Sequence, residues 1–239
     1  MAILRSFLFY PLFYSISALI TLLSLLALPF GAKALRRVVG WWGFWHRGSM
    51  RYLLGIRVEV DGEIPNGPVL VAIKHESFFE AIDMPHLFEF PSVFAKQELF
   101  QIPGWGLSAR TYGLIPVARD KGAQALRAMI AEAKERNAEG RPLVIFPEGT
   151  RAEHGEAPPL RSGFAGLYKL LGLPVVPVAV NSGPLYQGFP KRSGTITYKV
   201  GEMIPAGLPR KEAEARVHAA INALNSEKVV EPNSTPARA

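Results

Sequence analysis

From Ser6 to Ala32 the chain runs 27 residues without a charge, SFLFYPLFYSISALITLLSLLALPFGA. As a helix this stretch spans about 40 Å at ~1.5 Å per residue, against a bilayer core of about 30 Å. Pro11 and Pro29 bracket it, which places the regular helix at 12–28. The next segment, KALRRVVGWWGFWHRGSMRYLLGIR, covers residues 33–57. Read as a helix, it puts Leu35, Val38, Trp42, Trp45, Tyr52 and Ile56 on one face and Arg36, Arg47 and Arg51 on another. Three of the four tryptophans fall between 41 and 45. Indole rings prefer the headgroup level, and arginines there meet lipid phosphates. The pattern predicts a membrane-inserted helix followed by an amphipathic helix on the same surface. A cleaved signal peptide and a packed helical hairpin are the competing readings. The first would have a shorter apolar run, and the second nothing to cover so much apolar surface.

After Arg57 the pattern changes. Ile56, Val58 and Val60 alternate and then turn at Asp61-Gly62. Val69–Ile73 is a continuous apolar run, as a strand buried on both faces requires. Further strands are predicted at Ser92–Ala95, Gly113–Ala118, Pro142–Phe146, Val175–Val180 and Thr195–Val200. Helices are predicted at Phe78–Phe88, Lys121–Asn137, Phe164–Leu171 and Arg210–Leu224. Strands alternating with helices imply an α/β fold, a mixed and largely parallel sheet flanked by helices. The organisation expected is a membrane segment at 1–57, an α/β domain at 58–225 and a flexible tail at 226–239.

Composition refines this picture. Hydrophobic residues make up 49% and charged residues 20%, which excludes a disordered chain. The absence of cysteine excludes disulfides, thiolate metal sites and a cysteine nucleophile. The net charge is +7, and residues 1–60 carry most of it, with seven basic side chains against the single acid Glu59. Positive charge beside a membrane segment points to an anionic bilayer and away from nucleic acid. It also predicts a cytoplasmic location for the rest of the chain.

Sites in open α/β sheets gather where strands run out into loops. KHESFFE follows the strand ending at Ile73. There, a histidine can take a proton from a hydroxyl if a carboxylate fixes its other ring nitrogen. Glu80 is the expected partner of His75. Glu76 points elsewhere, and Asp83 lies about one turn deeper. Ser77-Phe78-Phe79-Glu80 also fits the capping box S-x-x-E, in which Glu80 bonds its own helix start. The two roles are compatible. FPEGTR follows Ile145. Gly149 allows a tight turn, and Thr150 and Arg151 supply a hydroxyl and a donor fork suited to phosphate. A plain turn with a Glu148–Arg151 ion pair is the alternative. Lys96 and Arg119 stand singly after other strands. No metal is expected, since His86 and His154 carry no ligand spacing.

Taken together, these motifs resemble the lysophosphatidic acid acyltransferases of the glycerolipid acyltransferase superfamily, over about residues 55–205. KHESFFE resembles the first family block, GLIPVAR the second, VIFPEGTR the third and LPVVPVAVNSG the fourth. Two positions depart from the pattern. Glu80 stands where aspartate is usual, and Lys74 where asparagine is common. The resemblance implies a His75–Glu80 dyad that deprotonates the hydroxyl of a lysophospholipid for attack on an acyl thioester. The donor would be acyl-CoA or acyl carrier protein. Arg119 and Arg151 would hold the substrate phosphate, Glu148 and Gly149 would shape the glycerol end, and Thr150 and Lys96 are counted with them as substrate-binding. No cofactor is implied. The partners implied are membrane lipids, and the location is the cytoplasmic (inner) membrane. Other acceptors, such as glycerol 3-phosphate or a lyso-ornithine lipid, and a non-catalytic lipid-binding role are the rivals.

Overall fold

The computed structural model describes residues 1–117 and 122–226, with the side chains of 122–125 left aside. Arg119 and the 226–239 tail, beyond residue 226 itself, therefore lie outside the described residues. Among the described residues, seven strands form one sheet: β1 (Ile56–Asp61), β2 (Leu70–Ile73), β3 (Ser92–Lys96), β4 (Ile115–Val117), β5 (Leu143–Ile145), β6 (Val175–Val180) and β7 (Gly194–Val200). Their order is β1-β7-β6-β2-β5-β3-β4. Every pairing is parallel except β6 with β7. The expected mixed, largely parallel sheet is what forms. Five strands thus end on one edge, which brings the residues after Ile73, Lys96, Ile145 and Val180 to the same side of the molecule.

The central strands β2 and β6 are buried on both faces, which explains their unbroken apolar runs. In β2, Val71 and Ile73 face one core with Phe79 and Met84. Leu70 and Ala72 face the other, with Phe164 and Val217. The second face is covered by α5 (Gly122–Ala138), α6 (Ser162–Leu171) and α8 (Arg210–Ile221). The first is covered by α3 (Phe78–Leu87) and by the N-terminal helices. Two helices were not anticipated: α4 (Trp105–Tyr112) and the single turn α7 (Gly183–Tyr186). Both are too short, and too broken by Gly and Pro, for a period of 3.6 to show.

The N-terminal segment corrects the sequence expectation in four places. Helix α1 runs from Ala2 to Ala27, so Pro11 is carried inside it. Helix α2 spans Gly31–Ser49 only. A wide π-type turn at Met50–Leu54 and a left-handed Gly55 end the helical segment, and Ile56 opens β1. The single face drawn through Leu35, Tyr52 and Ile56 does not exist: Leu35 and Ile56 are buried, while Tyr52 is exposed. Arg47 does not face lipid phosphate. It pairs with Asp83 of α3 through two hydrogen bonds of 2.7 Å. A periodicity argument sees only one helix and cannot see a buried acid on its neighbour.

Helix α1 lies along the body. Near its start, Ser6 Oγ accepts the Lys191 N–H at 2.9 Å. Near its end, Leu25 sits against Gly104, where a β-carbon would come within 3.1 Å. Ser6, Phe9, Ile20, Ser24 and Ala27 are buried, and Phe7, Leu8, Leu12, Leu19 and Leu22 are exposed. By length and composition this helix could cross a membrane. Helix α2 packs closely on α3. A β-carbon at Gly43 would meet His86 Cβ at 2.9 Å, so glycine there permits the approach that lets Arg47 reach Asp83.

Candidate active site

His75 stands two residues beyond β2, on the edge where five strands end. Its ring stacks on Phe146, the residue after β5, with centroids 4.3 Å apart. Its Nδ1 faces Glu80 Oε2 at 3.0 Å. The imidazole is 16% exposed and the carboxylate fully buried. The same carboxylate completes the capping box of α3: Ser77 N–H donates to Oε2 at 3.0 Å, and Phe79 N–H donates to Ser77 Oγ at 3.1 Å. Partner and cap are thus one group. Helix start and histidine sit on the same side because the extended Ser77 turns the chain between them.

Glu76, next to His75, points the other way, as expected. It faces His154 Nδ1 at 3.0 Å and accepts the Gly183 N–H at 2.9 Å. Burial raises its pKa. This pair ties the loop after Arg151 to the loop after β6. Lys74 is also fully buried and donates to the Glu156 carbonyl at 2.7 Å and to Asn222 Oδ1. Burial lowers its pKa. Its long arm fastens the 152–160 loop and the end of α8 to β2, which gives the departure at this position a structural use.

The FPEGTR segment folds over His75. Gly149 adopts φ +67°, a left-handed conformation that a side chain would strain by about 1 kcal/mol. Glu148 turns inward, and its Oε2 accepts the His75 backbone N–H at 3.2 Å. Its Oε1 is buried without a partner among the described residues. The Glu148–Arg151 ion pair does not form. Arg151 instead lies over the Phe78 ring at 4.0 Å and reaches Gln187 at 3.4 Å. Thr150 and Arg151 are exposed. Lys96 is exposed at the end of β3, two strands from β2, and touches neither His75 nor Arg151 among the described residues. Among the described residues, no cluster of three or more His, Asp and Glu stands ready for a metal.

Burial raises the Glu148 pKa from 4.5 to about 7. The folded chain therefore keeps a proton there that the unfolded chain releases. Stability linked to that proton is full below pH 4.5 and lost as pH rises through 7. Glu148→Gln stays neutral and still offers an oxygen to the His75 N–H. Its stability relative to wild type should grow between pH 4.5 and 7, by up to about 3 kcal/mol, and stay level above. Chemical denaturation at pH 5, 6, 7 and 8 checks this. A constant difference across that range contradicts a buried, proton-holding Glu148.

The acyltransferase family model matches residues 55–181, more than half of the chain. The chain belongs to the acyltransferase family. This acyltransferase is similar to the 1-acyl-sn-glycerol-3-phosphate acyltransferase of Pseudomonas aeruginosa, at 33% identity over 208 residues, covering 85% of this chain and 80% of that one. It is 31% identical over 144 residues to the human 1-acyl-sn-glycerol-3-phosphate acyltransferase alpha, covering 59% of this chain and 50% of the human protein. Its fold resembles the crystal structure of the 1-acyl-sn-glycerophosphate (LPA) acyltransferase PlsC from Thermotoga maritima. The TM-score is 0.74 at 22% identity, over 96% of this chain and 100% of that one. The matched span holds His75, Glu80, Lys96, Arg119 and Glu148–Arg151. It stops one residue short of Ser182, a site residue that sequence reasoning missed. Ser182 donates its hydroxyl to Glu80 Oε1 and lies 2.7 Å from Ser77 Oγ. The signal was present in the sequence: Asn181-Ser182-Gly183 breaks a six-residue apolar strand at the same sheet edge.

Proposed function

We propose that this acyltransferase moves a fatty acyl group from an acyl thioester to the free hydroxyl of lysophosphatidic acid, giving phosphatidic acid. The observation that carries the mechanism is the 3.0 Å contact between His75 Nδ1 and the buried Glu80 carboxylate. It fixes the tautomer and leaves Nε2 to act as general base. Nε2 takes the proton of the acceptor hydroxyl as its oxygen attacks the thioester carbonyl. The new C–O bond forms, the C–S bond breaks, and the leaving thiolate takes the proton back from His75. The thioester is already activated, so no acyl-enzyme is required.

Arg151, Thr150, Arg119 and Lys96 are assigned to the substrate phosphate. Arg151 has the best support, because its guanidinium lies over Phe78, one residue from Ser77 and close to the dyad. Glu148 and Gly149 are assigned to the glycerol end, where the unpartnered Oε1 could accept from a hydroxyl. The exposed apolar side of α1 and the exposed Trp41, Phe44 and Trp45 of α2 fit the membrane segment of 1–57. The α/β domain of 58–225 would then work at the cytoplasmic face of the inner membrane. Acyl-CoA or acyl carrier protein would supply the acyl group without a cofactor.

The test is a panel of acceptors in liposomes, with each donor in turn. Phosphatidic acid should form from lysophosphatidic acid faster than products form from glycerol 3-phosphate or a lyso-ornithine lipid. Turnover confined to another acceptor contradicts the substrate assignment and keeps the chemistry.

A further inference from the structure

We infer that Ser182 is a positioning residue that lets a glutamate serve in the dyad. The inference rests on the His75–Glu80 reading above and deepens it. A glutamate at position 80 carries one methylene more than the aspartate of the family pattern, so its carboxylate has an extra rotatable bond to be fixed. Oε2 is fixed by His75 Nδ1 and the Ser77 N–H, each at 3.0 Å. That leaves Oε1, on a group with no solvent access. Two hydroxyls meet it. Ser77 Oγ stands at 3.4 Å, too long for a strong bond, and already accepts from Phe79 N–H. Ser182 Oγ donates directly and is itself fully buried.

Ser182 is held in turn from several sides. It follows the all-buried strand β6, whose neighbour β2 carries His75 at its end. Its carbonyl accepts the Tyr186 N–H at 2.8 Å, closing α7. Gly183, next in sequence, is pinned by Glu76. The hydroxyl is thus fixed by the backbone of a central strand. A buried carboxylate needs donors on both oxygens to stay ionised, and an ionised partner is what His75 requires as a base. A shorter aspartate draws its carboxylate back toward α3 by about one carbon–carbon bond and leaves Ser182 unmet. Ser182 therefore belongs with glutamate.

The experiment is a double-variant cycle in the liposome assay with lysophosphatidic acid and acyl-CoA, with melting temperatures alongside. Losing one charge-assisted hydrogen bond predicts that Ser182→Ala lowers kcat by roughly ten- to a hundredfold. KM for lysophosphatidic acid stays level, and the acid limb of the pH profile moves to higher pH. In a Glu80→Asp background, adding Ser182→Ala should change kcat by less than about threefold. Wild-type kcat in Ser182→Ala, with His75→Ala inactive, overturns the role of Ser182 and keeps the dyad. Full activity in His75→Ala removes the dyad itself. An equal loss from Ser182→Ala in both backgrounds overturns the inference as well, because it makes the serine a general structural support.

Discussion

His75→Ala lowers phosphatidic acid formation by about a hundred- to ten-thousandfold, the range that a positioned general base contributes. The loss is expected in kcat. The backbone at position 75 is held independently of the ring, by Glu148 Oε2 on its N–H and by the Ala152 N–H on its carbonyl at 2.8 Å. The ring itself stacks on Phe146 at the surface of the sheet edge. Truncation therefore removes the base and leaves the loop in place. The melting temperature should shift by a few degrees at most. Circular dichroism melts, run on the same preparations as the rate assays, separate the two effects. A melting temperature that collapses together with activity assigns the ring to the fold instead.

The second large effect lies in stability. Arg47→Met leaves Asp83 fully buried without its cation, with the Tyr198 hydroxyl at 3.2 Å as remaining donor. Breaking a buried pair from one side costs about 3–5 kcal/mol. Replacing both partners restores much of this, so Arg47→Met combined with Asp83→Leu should recover at least half of the loss. Denaturant titration in detergent measures the cycle. A cost below about 1 kcal/mol for Arg47→Met marks the pair as a surface-like bridge. The pair also joins α2 of the N-terminal segment to α3, the helix that carries Glu80. Its loss is expected to lower activity as well as stability.

Much of the fold was legible because its strands are short apolar runs between turn residues. The β6 run Val175–Val180 coincides with the expected strand, and β2 begins one residue late. The His75–Glu80 pairing was legible because the two lie five residues apart across the short junction from β2 to the start of α3, with spacing and capping chemistry fixed locally. What long-range packing decides was not legible. Arg47 looked like a lipid contact because its helix shows only its own spacing, and its partner lies on α3. Lys74 looked like a departure from a pattern. Its use depends on a carbonyl at Glu156 and an amide at Asn222, both distant in sequence. Ser182 showed in the sequence only as the end of an apolar strand, and its role stayed hidden because its partner Glu80 lies across β2 and β6. The Glu148–Arg151 pair failed because the left-handed Gly149 between them sends one side chain inward and the other out.

One measurement tests the central claim most directly: the rate of phosphatidic acid formation by Glu80→Gln in liposomes, beside wild type and with melting curves. Glutamine keeps the size of the side chain and the oxygen that caps α3, and it removes the charge that orients and stabilises a protonated His75. A loss of about a hundredfold or more at an unchanged melting temperature is the result predicted. Wild-type turnover by Glu80→Gln would contradict a charge-dependent dyad and leave Glu80 as a helix cap.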